Sequence, residues 1–134
     1  SEDLKKQFEL ASAKSKVKGG ILYSAKYLVE NKVGIMDVIR ERYKNPVLLP
    51  YLGRTTAIFP ATPVNVTVNG DNLSWGRVLN AHYAIYRFNG DGEVATLVGV
   101  TEDTAFKLID KGTYFVTAIS KNNAESETSQ LVSY

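Results

Sequence analysis

From Pro63 to the end of the chain, apolar residues recur at every second position in short runs separated by turn signals. Residues 64–68, VNVTV, place three valines on one side of an extended chain and two polar residues on the other. Asn69-Gly70 follows, and this pair is the strongest short-range signal for a β-hairpin. A period of two is typical of a strand with one buried face. This part of the sequence therefore favours antiparallel strands.

Six further segments continue the pattern to residue 134. They are LSW (73–75), HYAIYRF (82–88), VATLVGV (94–100), TAFKLI (104–109), GTYFVTAIS (112–120) and SQLVSY (129–134), with turns such as NGDG (89–92) and KNNAES (121–126) between them. No helical segment of the kind that links parallel strands lies between them. The sequence predicts a seven-stranded antiparallel β-sandwich.

The first 45 residues follow a helical period instead. Leu4, Phe8 and Ala11 share one face of a helix predicted over residues 2–16. Another helix is predicted from Gly34 to about Lys44, before the Asn45-Pro46 pair, because proline disfavours the α conformation at the preceding residue. Residues 20–31 are ambiguous, since Ile21-Leu22-Tyr23 has the pattern of a short buried strand and Ala25–Glu30 that of a helix. Two or three short helices are expected in all.

A proline-rich strap, residues 46–62, separates the two patterns. All four prolines of the chain fall between positions 45 and 63, which excludes a regular element. The apolar residues of the strap indicate that it is pinned to a surface; they are Val47, Leu48, Leu49, Leu52, Ile58 and Phe59. The predicted organisation is a helical segment (1–45), the strap (46–62) and a sandwich (63–134).

Composition excludes several classes of site and partner. The chain has no cysteine, which rules out disulfides and thiol catalysis, and its one histidine rules out a metal site built on paired imidazoles. We expect no metal and no cofactor. The net charge of +2 gives no reason to expect a nucleic-acid partner, and no apolar run is long enough for a membrane span. Ten lysines and arginines against six carboxylates in residues 1–50 indicate a solvated, basic helical face.

The second part resembles a fibronectin type III domain. PVNVTV opens it, Trp75 ends LSW, YAIYR forms the third strand, and NAESETS (123–129) resembles the bend before the last strand. In LIDKGTY, Leu108 stands six residues before Tyr114, the spacing of the tyrosine corner of that fold. The resemblance implies a fibronectin III/immunoglobulin-like β-sandwich whose corner tyrosine bonds to backbone a few residues upstream.

The aromatic cluster at residues 73–88 has two faces under this interpretation. The structural core is predicted to contain Trp75, Tyr83, Ile85, Leu108, Tyr114 and Val116. Tyr86 and Phe88 project to the other side of their strand, where they are candidate ligand-binding residues, or are covered by the first sixty residues. We favour the cover, because large bare apolar patches are uncommon on monomers.

The first part resembles the end of the catalytic barrel in bacterial family 10-like glycoside hydrolases. GGILYSAKYLVENKVGIMDVIRERYKNPVLLPYLGR has the order of a last strand, last helices and a proline strap that leads into a fibronectin-like domain. The resemblance implies a fragment of a larger, exported bacterial protein. It transfers no catalytic residue, since ILYSAKY contains neither of the carboxylates that glycoside hydrolysis requires. Tyr23 and Ser24 would line the cleft of the parent protein, or are two residues of a severed core element.

Two functions from different classes remain open. The first is a non-catalytic accessory domain that supports or positions the catalytic barrel, its partner. The second is an independent fibronectin III-like module that binds carbohydrate or protein; an autonomous enzyme is a third, weaker hypothesis. An unpaired barrel strand at residues 20–24 would also invite pairing with a second copy of the chain, giving a homodimer.

Overall fold

The computed structural model describes residues 2–17, 20, 25–31, 34–53, 56–88 and 94–134. The chain divides into two compact units, Ser1–Lys44 and Asn45–Tyr134, called unit 1 and unit 2 below. The predicted cap at residue 1, the strand pattern at 21–23 and the NGDG turn lie outside the described residues.

The described residues of unit 1 form three short helices, α1 (Glu2–Ser12), α2 (Ala25–Glu30) and α3 (Ile35–Arg42). Helix α1 ends four residues before the predicted position. The hydroxyl of Ser12 donates to the Phe8 carbonyl oxygen at 2.8 Å, and the Lys14 amide donates to the Ala11 carbonyl, only three residues back. This tighter bonding pattern closes the last turn and ends the helix.

Helices α1 and α3 meet at one group of side chains. The Phe8 ring packs edge-to-face on Tyr43, with centroids 6.2 Å apart. The Arg42 guanidinium lies 5.2 Å from the centroid of the Phe8 ring and donates a hydrogen bond to the Ser12 hydroxyl. None of the described side chains of unit 1 is fully buried. The described residues of unit 1 therefore include a contact between helices but no buried core.

Unit 2 is built from strands. Those in its described residues are β1 (Thr67–Asn69), β2 (Asn72–Ser74), β3 (Ala81–Phe88), β4 (Ala95–Thr101), β5 (Ala105–Lys107), β6 (Thr113–Ser120) and β7 (Val132–Ser133). They form two antiparallel sheets, in the orders β1-β2-β5 and β4-β3-β6-β7. The mainly β fold with antiparallel sheets is confirmed. Strand β4 pairs with β3, whereas the fourth strand of a constant-type immunoglobulin domain pairs in the other sheet.

The start of the sandwich differs from the strand expected at residues 64–68. Regular pairing begins only at Thr67, and Val64 is 61% exposed while Val66 is 1% exposed. Asn65 has a φ of 55°, in the left-handed region, so the chain turns there and the alternation is broken. Val64 therefore does not share a face with Val66. The Asn69-Gly70 hairpin forms between β1 and β2, with Asn69 opposite Asn72.

One apolar core lies between the two sheets. Its buried members are Val66, Leu73, Trp75, Tyr83, Ile85, Leu108, Tyr114, Val116 and Ala118, a set that includes all six residues assigned to the core above. Trp75 and Tyr83 pack edge-to-face across the sheets, with centroids 5.2 Å apart. The Tyr114 hydroxyl donates to the Asp110 carbonyl oxygen at 2.5 Å, four residues upstream. That bond satisfies the one polar group of a tyrosine that is otherwise buried.

The strap contains no helix or strand in its described residues, 46–53 and 56–62. Leu48 packs against a second buried cluster, formed by Ala84, Leu97 and Ile119. The other five apolar residues named for the strap are exposed, so of these six only Leu48 packs against the sheet. In an extended chain successive side chains point in opposite directions, which turns Val47 and Leu49 away when Leu48 faces the sheet.

Candidate functional site

The candidate site is the outer face of the four-stranded sheet, the side that points away from the core. Strands β3 and β6 pair along their whole length, with Ile85 opposite Val116 and Tyr86 opposite Phe115. Ile85 and Val116 are buried between the sheets, and neighbouring residues of a strand point to opposite faces. The same alternation that builds the core therefore presents Tyr86 and Phe115 on the outer face.

Three aromatic rings form a group on this face. Tyr86 stacks on Phe115 with ring centroids 4.9 Å apart and planes 14° apart. Phe88 tilts against the same ring, at 5.6 Å and 47°. Phe115 is only 8% exposed, whereas Tyr86 and Phe88 are half-buried. The rings thus pack on each other, Tyr86 also packs on the cluster that holds Leu48, and Tyr86 and Phe88 keep part of their surface accessible.

Glu125 joins this aromatic group through two hydrogen bonds. Its Oε1 atom accepts from the Tyr86 hydroxyl at 2.8 Å and from the Thr117 hydroxyl at 2.6 Å. Burial raises the pKa of the Tyr86 hydroxyl well above its usual range, and the hydrogen bond and negative charge of Glu125 raise it further. Tyr86 therefore stays protonated and acts as a donor, which keeps the carboxylate fixed on the sheet.

The segment after β6 holds Glu125 in place. The Ala118 amide donates to the Ser126 hydroxyl at 2.9 Å, and the Ser126 amide donates to the Ala118 carbonyl at 2.8 Å. The Ser120 amide likewise donates to the Ala124 carbonyl at 2.9 Å. Residues 124–126 thus run along the edge of β6, and Glu125 is bridged to Ile119.

The structure places the sequence-derived candidates in different situations. Tyr86 and Phe88 both contact Phe115 and belong to one surface. Tyr23 and Ser24 lie outside the described residues. Within the described ranges, no three histidine, aspartate or glutamate side chains are grouped closely enough to hold a metal ion. Of the helices described, none has the length and apolar character that crossing a membrane requires.

Sequence reasoning did not single out Phe115, Thr117 or Glu125. Phe115 and Thr117 carried a usable signal, because each alternates with a residue assigned to the core. Glu125 belongs to the NAESETS segment, but nothing in that segment predicts its contact with Tyr86, which joins residues 39 positions apart and depends on the path of the chain after β6.

No protein-family model matches this chain, and no curated protein sequence matches it either. Solved structures of similar fold include one described as domains A168-A170 from titin, with 20% identity and a TM-score of 0.46. That match covers 56% of this chain and 32% of the titin chain. The fibronectin type-III domain of human fibronectin type III domain containing protein 3 has 21% identity and a TM-score of 0.44, over 61% of this chain and 90% of that one. A structure described as FN3tt has 18% identity and a TM-score of 0.42, over 55% and 92%.

Proposed function

We propose that the chain is the C-terminal part of a larger, exported bacterial glycoside hydrolase. Unit 2 is then a fibronectin III-like accessory domain without catalytic residues, and unit 1 belongs to the end of the catalytic barrel. The observation that carries this proposal is the contrast between the units. Unit 2 has a closed interior, while no described side chain of unit 1 is fully buried.

The helices of unit 1 need another surface to be stable. They contain 11, 6 and 8 residues, and isolated helices shorter than about 12–15 residues are marginal in water. Leu10 of α1 is 66% exposed and Val29 of α2 is 85% exposed. Such helices become stable when they pack against a larger domain that buries their apolar faces. In this proposal that domain is the barrel encoded upstream.

The role of unit 2 is mechanical support and positioning. In its strap, Val47, Leu49 and Leu52 are 82%, 75% and 67% exposed. They lie close in sequence to Leu48, which packs against the sheet. These side chains offer an apolar strip to the barrel. Glu125 is committed to two hydroxyl groups, so its arrangement is that of a structural acceptor rather than one of the paired carboxylates of a glycosidase.

Hydrogen exchange of the chain by itself and of the complete parent protein tests this proposal. We expect the amides of unit 1 to exchange rapidly in the chain by itself and slowly in the parent, with unit 2 protected in both. The parent should also hydrolyse a substrate in a panel of β-linked glycans. Equal protection of unit 1 in both proteins, or a parent that cleaves no glycoside, would contradict the assignment.

The second function, an independent binding module, is favoured by the accessible parts of Tyr86 and Phe88 beside Glu125. Aromatic rings can stack on the face of a sugar, and a fixed carboxylate beside them can accept hydrogen bonds from the sugar hydroxyl groups. Affinity electrophoresis in soluble glycans separates the two functions. An accessory support domain migrates without retardation. A glycan-binding module is retarded, and Tyr86→Ala or Phe88→Ala abolishes the retardation.

Light scattering at high concentration tests the proposed homodimer through residues 20–24.

A further inference from the structure

Three loops of unit 2 meet at one end of the sandwich, which we call the loop end: residues 75–80, 102–104 and 121–123. They meet because β3 begins where β4 and β6 finish. Tyr83 pairs with Thr101 at the end of β4, and Ala81 pairs with Ser120 at the end of β6. The loop end lies at the opposite end of β3 and β6 from Phe88 and Thr113, and the supporting role proposed above does not use it.

Two cavities adjoin each other at the loop end. One, of about 370 Å³, is apolar on one side, where Ile58, Pro60 and Leu79 line it. The other, of about 520 Å³, is lined mostly by charged and polar side chains, together with Val78 and Ala81. Asn80 and Lys121 line both, so the two cavities are neighbours, and we call the pair the groove. Each volume falls in the range of about 300–1,000 Å³ that is usual for ligand sites.

The apolar part of the groove leaves large side chains accessible. Leu79 is 81% exposed and Ile58 is 75% exposed. A single exposed leucine needs no explanation, but these two come from different segments and border the same cavity. A large apolar side chain of a partner, seated between them, would remove both from water.

The other part of the groove carries charges of both signs. Arg77 and Lys121 are cationic, Glu102 and Asp103 are anionic, and all four line the same cavity. The ion pairs found among the described residues involve other side chains. A groove with equal numbers of both charges does not favour a polyanion such as nucleic acid. It complements a partner that presents a basic and an acidic group together.

The loops are held in place before any partner binds. The Val78 amide donates to the Tyr83 hydroxyl at 2.8 Å, and this fixes the loop that carries Arg77 and Leu79. The Trp75 amide donates to the Thr104 carbonyl at 3.1 Å, which ties that loop to the one carrying Glu102 and Asp103. Binding to an already ordered surface loses less conformational entropy.

We propose that the loop end binds a polypeptide segment that presents one large apolar side chain beside a basic and an acidic side chain. A peptide fits better than a glycan, because the described residues that line the groove include no phenylalanine, tyrosine or tryptophan on which a sugar could stack. The apolar side chain enters between Ile58 and Leu79. The acidic side chain of the partner pairs with Arg77 or Lys121, and its basic side chain pairs with Glu102 or Asp103.

The test is binding of the full chain to an array that displays every tripeptide sequence. We expect enrichment of tripeptides that combine a large apolar, a basic and an acidic residue. Arg77→Glu should remove the preference for the acidic residue, and Leu79→Ser should lower the affinity for the best tripeptide about tenfold. Lys14→Glu and Ile109→Ser are the controls, since both side chains are exposed and lie outside the loop end.

All four variants should unfold at the same denaturant concentration as the unmodified chain, so that lost binding is not lost folding. An array without enrichment, or enrichment that the loop-end variants leave unchanged, overturns the proposal. Cello- and xylo-oligosaccharides form the second arm of the test. If these bind and Arg77→Glu abolishes their binding, the groove is a glycan site and the peptide proposal is wrong.

Discussion

Tyr86 and Glu125 are 39 residues apart in sequence and share a 2.8 Å hydrogen bond on the outer face of the four-stranded sheet. The bond ties the segment after β6 to the centre of β3. Thr117 on β6 donates to the same oxygen, so the carboxylate spans two strands. A carboxylate fixed in this way adds a polar connection to a face that otherwise packs through apolar contacts.

Tyr86→Phe should destabilise the chain by about 1–2 kcal/mol, because the ring stays stacked on Phe115 while the bond to a charged acceptor is lost. Urea unfolding followed by tryptophan fluorescence measures the change. Tyr43→Phe is the control, since Tyr43 is 60% exposed and should change the free energy of unfolding by less than about 0.5 kcal/mol. Equal effects of the two substitutions would show that the Glu125 bond adds no stability.

The raised pKa of Tyr86 also predicts how stability depends on pH. The unfolded chain releases the Tyr86 proton near the ordinary pKa of 10.0, while the folded chain retains it. Above that pH the folded state binds more protons, so the stability that this group contributes is present below pH 10 and declines as the pH rises further. Urea unfolding at about pH 8 and about pH 11 should show a smaller decline for Tyr86→Phe than for the unmodified chain. A decline of the same size in both proteins would contradict this assignment, whatever other groups titrate in that range.

Leu48→Ala tests the contact of the strap with the sheet. Leu48 is half-buried against Ala84, Leu97 and Ile119, and its loss should cost about 1–2 kcal/mol, less than truncation of a fully buried leucine. The neighbouring variant Leu49→Ala removes the same atoms from a site that is 75% exposed. Its free energy of unfolding should match that of the unmodified chain. If both variants unfold alike, the strap does not stabilise unit 2.

Periodicity allowed the strands and the core of unit 2 to be predicted because both depend on local alternation. Alternation predicted that Trp75, Ile85 and Val116 point to one side of their strands, and they lie together in the core. The prediction failed at Val64, where the left-handed φ of Asn65 breaks an alternation that the residue types support. A single asparagine can adopt the left-handed conformation, and this does not change the alternation of apolar and polar residues in the sequence.

The candidate site was predictable only in part, for a different reason. Tyr86 and Phe88 follow from alternation along β3. The position of Glu125 depends on how the chain returns along β6, and the groove at the loop end depends on three loops that approach from separate strands. Such arrangements depend on contacts between residues that are distant in sequence, and a local periodic pattern does not specify these.

Gly99→Ala should destabilise unit 2 because this glycine admits a close approach between the two sheets. A Cβ atom at position 99 would lie 2.5 Å from the Cε2 and Cζ atoms of Phe106, on strand β5 of the opposite sheet. Gly99 also sits where the pairing of β3 with β4 shifts, since Ile85 faces Gly99 and Tyr86 faces Leu97. Neither strand can move without disturbing that pairing, so the Phe106 ring must be displaced. We expect a loss of about 1–3 kcal/mol in urea unfolding.

Gly20→Ala, Phe106→Leu and the double variant Gly99→Ala with Phe106→Leu show whether the Phe106 ring causes this loss. Gly20→Ala is the matched control, because nothing lies within 4 Å of a Cβ atom at that position. The double variant Gly99→Ala with Phe106→Leu exchanges the ring for a smaller side chain that can move aside. If the collision is the cause, the cost of Gly99→Ala in the Phe106→Leu background falls by about half or more, which a double-mutant cycle measures. An unchanged cost in that background would place the effect in the backbone of β4 instead.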